Sequence, residues 1–300
     1  MRGEEPQPLA ATDGLWSLYV PFSAPKLNFT DPLLESVSGY PAKFAQVSPE
    51  YGRIAVESLP SAEEAERVFA ALKRGVVAAS VELSTGVRVV DQLAILYDDN
   101  DPLPQEQDQP FACLQGRSLA RLTISIGPIR FIMPKILEKL HASLDVGFHR
   151  TSFAEALADP RTTLACQLFI DSHFEATSEA RFLSLMGVLE VLKDKDPVSG
   201  AAIRLVDQWI SDSTQLSKVE ADSFHGTLRF MKTISINRGI QSRVERHLDS
   251  EKACAAKDLY NIRSKLVHNG LRPDDLEGVV RSAESLVREV LISVLTSASE

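Results

Sequence analysis

The 300-residue chain has few cysteines and no long hydrophobic run, and these two shortages exclude several classes of protein. Its three cysteines are odd in number and widely separated, so they form neither a disulfide framework nor a Cys-x-x-Cys metal site. No apolar segment approaches the length of about 20 residues that a helix needs to cross a bilayer. The polar, acidic start lacks the basic region and the apolar run of a secretory signal peptide. The sequence therefore predicts a cytoplasmic protein that does not enter a membrane.

Several motifs that mark enzyme sites are also missing. There is no glycine-rich phosphate loop and no nucleophile elbow. The acidic segment at residues 97–110 lacks the central glycine and the terminal glutamate of an EF-hand. His225 and His247 have neither a cysteine nor a second histidine at zinc-ligand spacing. We therefore expect no metal site and no cofactor.

Charge is distributed unevenly in a chain whose net charge is −9. That total argues against a protein that coats nucleic acid, although a local basic site remains compatible with it. Residues 225–270 contain nine lysines and arginines against four aspartates and glutamates, so this stretch carries +5. It is either a helical face balanced by acids elsewhere in the chain or a surface that faces phosphate groups.

The first 150 residues combine strand-like alternation with one helical pattern. Ser61 and Glu64 form a capping box, and apolar residues follow at helical spacing from Ala65 to Leu72. Pro21 is expected to end the first strand or to mark an edge. We predict an α+β accessory or sensor domain over residues 1–150. Its predicted strands are 16–20, 53–59, 76–90 (interrupted at 84–86), 119–126 and 129–133.

From residue 151 to residue 300 helical periodicity dominates, which predicts a second, all-α helical-bundle domain. The helix expected at 178–193 is apolar around most of its circumference, so most of it should be buried. Glu190 is the only charge between Phe182 and Leu192, so its carboxylate must be paired or must reach a cleft. A last amphipathic helix is expected to begin after Asp274. The other predicted helices are 164–173, 201–210, 224–234, 239–248 and 251–268.

The end of the helix at 251–268 contains several residues that could take part in catalysis or binding. Gly270, preceded by Asn269, is expected to end the helix. His268 then lies in the last turn, where the helix dipole favours its protonated form. Arg263 is five positions earlier, which places the two side chains about 140° apart around the axis and roughly 7.5 Å apart along it. Both can border one cleft if a second helix or a second copy of the protein packs over the interval between them.

Each of these residues also has a purely structural explanation. Arg263 can form a salt bridge with Asp258 or Glu190, and His268 can be a helix-terminal residue favoured by the dipole alone. Glu190 is explained either by a structural ion pair or by a role in orienting the arginine or histidine. The residues alone leave these alternatives open.

Arg263, Ser264, three further positions and His268 resemble the Arg-x4-6-His signature of HEPN domains. Residues 180–192 and the final helix resemble the Apea-like branch of that family, and the resemblance covers roughly residues 155–295. Two positions depart from the family pattern. Asn, Asp or His often follows the arginine where this chain has Ser264, and Gly commonly follows the histidine where it has Asn269.

This resemblance implies a helical bundle that forms a homodimer through its motif-bearing helices, so that two copies of the arginine and histidine share one cleft. Many such domains are metal-independent endoribonucleases of toxin or antiviral-defence systems. The expected function is therefore RNA cleavage with His268 as acid/base, Arg263 as phosphate clamp and Ser264 beside them. The expected supporting residues are Glu190, Tyr260, Lys265 and Asn269.

Other members of the family bind nucleotides or act only as interaction modules. The alternative function is therefore a non-catalytic interaction or nucleotide-binding module, regulated by a trigger or protein partner that binds residues 1–150. A third hypothesis is a nucleotidyl-modified partner of a transferase, with Tyr260 as an exposed acceptor.

Overall fold

The computed structural model divides the chain into two compact units, residues 1–154 and 155–300. It describes residues 15–23, 33–46, 51–89, 93–96, 112–117, 142–143, 146, 149–213 and 216–297, and the structural statements below concern these residues. The first unit contains a β-sheet and one long helix, and the second is mostly helical. The predicted strand-to-helix change along the chain is confirmed at this level.

The sheet of the first unit has seven described strands. They are β1 (Leu15–Ser23), β2 (Leu33–Val37), β3 (Tyr40–Gln46), β4 (Tyr51–Leu59), β5 (Arg88–Val89), β6 (Leu93–Leu96) and β7 (Ala112–Arg117). Their order is β2-β3-β4-β1-β7-β6, and β5 pairs with the far end of β1. All pairs are antiparallel except β6 with β7.

Helix α1 (Ala62–Leu83) packs on this sheet. The Ser61 hydroxyl caps the helix by accepting the Glu64 N–H at 3.1 Å, as the capping pattern predicted. Trp16, Leu18 and Val20 of β1 share one buried core with the apolar side of the helix. Their alternation along β1 therefore confirms the predicted inward face.

The strand predicted at 76–90 is mostly wrong, because residues 76–83 continue α1. Val76 and Ala79 keep the helical spacing of the buried side, and the helix ends only where Ser84 adopts a left-handed conformation with φ 48°. A run of valine and alanine fits either element, and packing against the sheet decides for helix. Only Arg88–Val89 forms a strand.

Pro21 does not end β1, contrary to one of the two predicted alternatives, but it lies where β1 is paired on one side only. β1 continues to Ser23 and lies inside the sheet, beside β4. Proline is tolerated there because Pro21 pairs with Arg53 on one side only. On the other side the pairing with β7 stops at Tyr19 and the pairing with β5 starts at Phe22, so β1 has no described partner opposite Pro21 on that side.

The hairpin of β2 and β3 was missed by sequence analysis. Its two-residue turn is Ser38-Gly39, and both residues have positive φ, 52° and 84°. Such turns favour Asn-Gly or Asp-Gly, so Ser-Gly is a weak signal. The strands predicted at 119–126 and 129–133 and the acidic segment 97–110 lie outside the described residues.

From residue 151 the chain is built of eight described helices, around a central α4. Phe182, Leu185 and Met186 of α4 are fully buried, and α4 packs against α3, α7, α8 and α9. The predicted stripe of this helix is confirmed, although Leu183 remains partly exposed. The helices are α2 (Thr151–Ala158), α3 (Pro160–Ser172), α4 (Ser178–Leu192), α5 (Gly200–Asp212), α6 (Lys218–Phe230), α7 (Ile236–His247), α8 (Ser250–Asn269) and α9 (Leu276–Thr296).

Two helix starts differ from the prediction. The last helix is capped by Asp275 rather than Asp274, because the Asp275 carboxylate accepts the Gly278 N–H at 2.8 Å. Helix α6 begins at Lys218, about two turns earlier than expected, because Ser217 and Glu220 form a capping box. In both cases a local cap selects the first residue of the helix.

The two cysteines of the helical region predict contrasting reactivity. Cys166 on α3 is buried, and burial raises the pKa of its thiol to about 12, whereas Cys254 on α8 is exposed. We expect N-ethylmaleimide at mildly alkaline pH to label Cys254 in the native protein roughly a thousandfold faster than Cys166, because the thiolate is the reactive species. Peptide mass spectrometry measures both rates. Labelling in concentrated guanidinium serves as the control, and equal rates in the native protein would contradict the buried placement of Cys166.

Candidate functional site

Helix α8 carries the Arg263–His268 motif and is fixed at both ends. The Asp249 carboxylate caps its first turn, and Ala253, Ala256 and Leu259 are buried. The helix ends at Gly270, which has φ 66°, as predicted. The motif therefore occupies the last two turns of a helix whose opposite side is packed.

Arg263 points toward α4 and pairs with Glu190. The Arg263 Nε lies 3.0 Å from Glu190 Oε1, and the two side chains are 25% and 24% exposed. No N–H is aligned with Oε1 closely enough for a hydrogen bond, so the contact is an ion pair rather than a directed hydrogen bond. This contact is one of the structural alternatives that the sequence left open for both residues.

Tyr260 completes a small cluster with this pair. The Arg263 guanidinium lies 5.8 Å from the centre of the Tyr260 ring, which is within cation–π range. Burial raises the pKa of the Tyr260 hydroxyl, the negative charge of Glu190 raises it further, and Arg263 opposes that effect. We call Glu190, Tyr260 and Arg263 the Arg263 cluster. Its tyrosine is half-buried, not exposed as the transferase hypothesis expected.

His268 lies on the other side of the helix end. Its imidazole is exposed, as are Lys265 and Asn269, and Ser264 is half-buried between the two groups. Among the described residues the ring has no ion-pair or hydrogen-bond partner. The structure therefore leaves this imidazole open to solvent within one chain.

The structure brings Glu190, Tyr260 and Arg263 together but does not bring His268 to them. The guanidinium is held against α4, whereas the imidazole points to solvent, in agreement with the roughly 140° expected from helical geometry. One chain thus presents the two side chains on different sides of α8.

The basic stretch at 225–270 is largely neutralised by acids from outside it. Five of its nine bases form ion pairs with such acids, which favours the interpretation of a balanced helical face. The pairs are Lys232–Asp207, Arg243–Asp194, Arg246–Asp194, Lys252–Glu289 and Arg263–Glu190. Arg229, Arg238, Lys257 and Lys265 remain exposed.

Sequence analysis missed a polar cluster at the end of α4. Arg161 of α3 donates to the carbonyl oxygens of Val191 and Lys193 at 2.6 and 2.5 Å, and so satisfies the last turn of α4. Asp194 follows directly and pairs with Arg246 at 2.9 Å. These contacts lock α3 and α7 onto α4. No local pattern signals them, because the partners lie at least 30 positions apart.

The other histidines that drew attention have structural contacts. His225 Nε2 lies 2.5 Å from Ser213 Oγ, and that hydroxyl donates to the Ile210 carbonyl at 2.6 Å. Because the Ile210 carbonyl also lies within hydrogen-bond distance of this hydroxyl, the contact is explained as a structural one. His247 Nδ1 contacts Ser293 Oγ at 3.1 Å, and Ser293 in turn donates to the His247 carbonyl.

Within the described part of the chain, no group of three or more His, Cys, Asp or Glu side chains is placed to hold a metal ion. None of the helices that the structure describes has the length and apolar character needed to cross a bilayer. Comparison with known proteins finds no family model, no curated protein and no solved structure that matches this chain.

The Arg263–Glu190 pair should contribute measurably to stability. Because both side chains are three-quarters buried, a double-mutant cycle with Arg263→Ala and Glu190→Ala should give a coupling energy of about 1–2 kcal/mol, between exposed and fully buried pairs. Urea unfolding measures it. The control is Arg272–Glu179, a pair of the same 3.0 Å length whose side chains are 64% and 34% exposed. Its coupling should stay below about 0.5 kcal/mol, and equal couplings would show that partial burial adds nothing.

Proposed function

We propose that this chain is a HEPN-type, metal-independent endoribonuclease of a toxin or defence system, which cleaves RNA in a cleft between two copies. The observation that carries the proposal is the exposed His268 imidazole at the end of α8, which has no acidic partner among the described residues. Histidine is the side chain best suited to move protons near neutral pH. It is therefore the group that we assign to acid–base catalysis.

RNA supplies its own nucleophile, so the chain needs no metal for this reaction. The 2′-hydroxyl loses its proton to a base and attacks the adjacent phosphorus, and the 5′ oxygen leaves with a proton from an acid. The products are a 2′,3′-cyclic phosphate and a 5′-hydroxyl. Cations stabilise the extra charge of the pentavalent phosphorus. His268 would serve as acid or base, which contributes about 10²–10⁴-fold.

Arg263 would hold the phosphate. Glu190 approaches the Nε edge of its guanidinium, so the two terminal nitrogens are the part that can meet a phosphate oxygen. The carboxylate and the Tyr260 ring orient the guanidinium before substrate binds. Because Glu190 also cancels one positive charge, the exposed Lys265 on the same helix is expected to add to the attraction.

A second copy is required because one chain offers one such histidine and directs Arg263 away from it. A homodimer through the motif helices would place His268 of one copy near Arg263 of the other. The exposed side of α8 carries Lys257, Asn261 and Lys265, so it is polar. It suits an RNA-facing groove better than a stable apolar interface, and the strength of association must come from another surface.

A non-catalytic interaction module is the second candidate, and the Arg263–Glu190 ion pair favours it. A guanidinium committed to a carboxylate can be explained by stability alone. In that case residues 1–150 would recognise a trigger or partner, and the helical region would transmit or bind without cutting RNA.

Cleavage in the presence of EDTA separates the two functions. The purified dimeric chain should cut single-stranded RNA with excess EDTA, leave cyclic phosphate ends and spare DNA of the same sequence, which lacks the 2′-hydroxyl. Gel analysis with end-group mass spectrometry reads out all three. Failure to cut any RNA while the protein is dimeric would overturn the proposed nuclease and leave the interaction module.

A further inference from the structure

Helices α5 and α6 form a hairpin that buries very little of itself. Val206 is the only buried residue of α5 and Leu228 the only one of α6, although each helix has 13 residues. Backbone hydrogen bonds close the base of the hairpin, from Val198 N to Lys232 O and from Ile234 N to Asp196 O, each 3.0 Å. Two helices of this length normally bury a full apolar stripe.

The exposed surface of this hairpin and its base is rich in large apolar side chains. Its three aromatic residues together expose roughly 300 Å² of surface. Five large aliphatic residues of the hairpin and its base are exposed as well. The residues are Leu205, Trp209, Leu216, Val219, Phe224, Phe230, Met231 and Ile236.

One stripe of α6 has a self-complementary profile. Val219, Ser223, Gly226 and Phe230 follow one another at i, i+4, i+7 and i+11, so they share one side of the helix. Val219 and Phe230 are 81% and 82% exposed, and no atom lies within 4 Å of a Cβ added at Gly226. Two large side chains therefore flank two small residues, Ser223 and Gly226, at the middle of the stripe. Small residues there let a second helix approach closely.

The charges of the hairpin are polarised along its length. The tip half, where α5 ends and α6 begins, carries Asp212, Lys218, Glu220 and Asp222, three acids against one base. The base half carries Arg204, Asp207, Arg229 and Lys232, which are three bases against one acid. Lys232 follows α6 directly and belongs to this half because its side chain contacts Asp207 of α5. The tip is therefore −2 and the base +2.

We propose that two copies of this chain associate through their α5–α6 hairpins, antiparallel about a twofold axis. That arrangement sets the acidic tip of each copy on the basic base of the other. It also places Val219 of one copy opposite Phe230 of the other, with Ser223 and Gly226 at the centre. The hairpin has zero net charge in a chain of −9, so like chains meet there without repulsion.

This inference does not rest on the nuclease, because it uses neither Arg263 nor His268. It would provide the apolar contact area that the polar side of α8 lacks. An unrelated acidic or basic partner would match only one half of the hairpin, whereas a second copy matches both. The tests below read out association alone. A dimeric wild type without charge-swap rescue overturns this interface and leaves the nuclease proposal intact, whereas a monomeric wild type overturns both.

Two complementary variants test the arrangement by analytical ultracentrifugation of the full chain. The tip variant is Asp212→Lys with Asp222→Lys, and the base variant is Arg204→Glu with Arg229→Glu. All four residues are exposed, so the fold should be retained, and circular dichroism checks it. The proposed dimer has two equivalent contacts, each between the tip of one copy and the base of the other. In a dimer of either variant alone, both contacts bring like charges together. A mixture restores opposite charges in both contacts of the heterodimer.

Wild type should dimerise, each variant alone should associate at least about tenfold more weakly, and the equimolar mixture should recover the wild-type constant. Phe230→Asp should weaken association at least about thirtyfold, as expected when a large exposed aromatic contact is replaced by a charge. Glu251→Lys, an exposed charge change on α8, is the control and should have no effect. A monomeric wild type, or a mixture that associates no better than the single variants, would overturn the proposal.

Discussion

His268→Ala should reduce RNA cleavage by about 10²–10⁴-fold while leaving the unfolding midpoint almost unchanged. The rate falls because the variant lacks the group that moves a proton in the reaction. Stability is retained because the ring is exposed and contacts no described partner. Single-turnover cleavage of a fluorescent RNA measures the first effect, and thermal unfolding measures the second.

A matched control is available on the same helix. Lys257→Ala removes an exposed cation about three turns earlier, on the same side of α8 as His268. It should weaken RNA binding modestly and leave kcat within about twofold, because it does not reach the reacting phosphate. If both variants lose kcat equally, His268 contributes charge rather than proton transfer.

The cleft between two copies can be tested by mixing two inactive variants. Arg263→Ala retains its histidine and His268→Ala retains its arginine, so a mixed dimer contains one complete pair in trans. With random exchange, activity should return to about a quarter of the wild-type value. No recovery from a mixture that has exchanged subunits would show that one Arg263–His268 pair contributed by two chains does not suffice for cleavage.

Gly239→Ala should destabilise the chain by about 3 kcal/mol, although alanine usually stabilises the interior of a helix. A Cβ at this position of α7 would lie 2.4 Å from the Asp194 carbonyl oxygen, which is backbone and cannot rotate away. The Asp194 N–H also donates to the Gly239 carbonyl at 3.2 Å, so the two segments are held at this distance. Urea unfolding at equilibrium measures the change.

Gly187→Ala on α4 is the control for this substitution. There an added Cβ meets the Leu168 side chain at 3.6 Å, which is an ordinary van der Waals contact. We expect stabilisation of about 0.5–1 kcal/mol from helix propensity. Opposite signs at the two glycines would show that the approach of α7 to the end of α4 is tight. A stabilising Gly239→Ala would mean that the two segments separate readily.

The parts of the fold that local periodicity determines were the parts that sequence predicted. The stripes of α4 and the final helix are long enough for their period to be unambiguous. By contrast, residues 76–83 contain side chains that suit both a strand and a helix, and only the sheet beneath them decides. The Ser38-Gly39 turn was missed because Ser-Gly is a weaker signal for a two-residue hairpin than Asn-Gly or Asp-Gly.

The candidate site was predictable in kind but not in arrangement. Glu190 is the only charged residue in the apolar part of its helix, so its carboxylate was expected to be paired or to reach a cleft. Arg263 was one of the candidate partners in the sequence, and the structure pairs the two. Whether the partner of Arg263 was Glu190 or Asp258 depended on how α8 packs on α4. The pairing of Asp194 with Arg246 was invisible, because 52 positions separate the two residues and no spacing rule connects them.

The closure beneath α5 and α6 means that this hairpin can be removed as a unit. The chain enters and leaves it beside one antiparallel bridge, Pro197 with Thr233, whose Cα atoms are expected to lie about 5 Å apart. A tight turn of a few residues can span that gap, so residues 199–231 can be excised genetically without rerouting the remaining bundle. Expression of the shortened chain would test whether the remaining helical bundle folds without the hairpin.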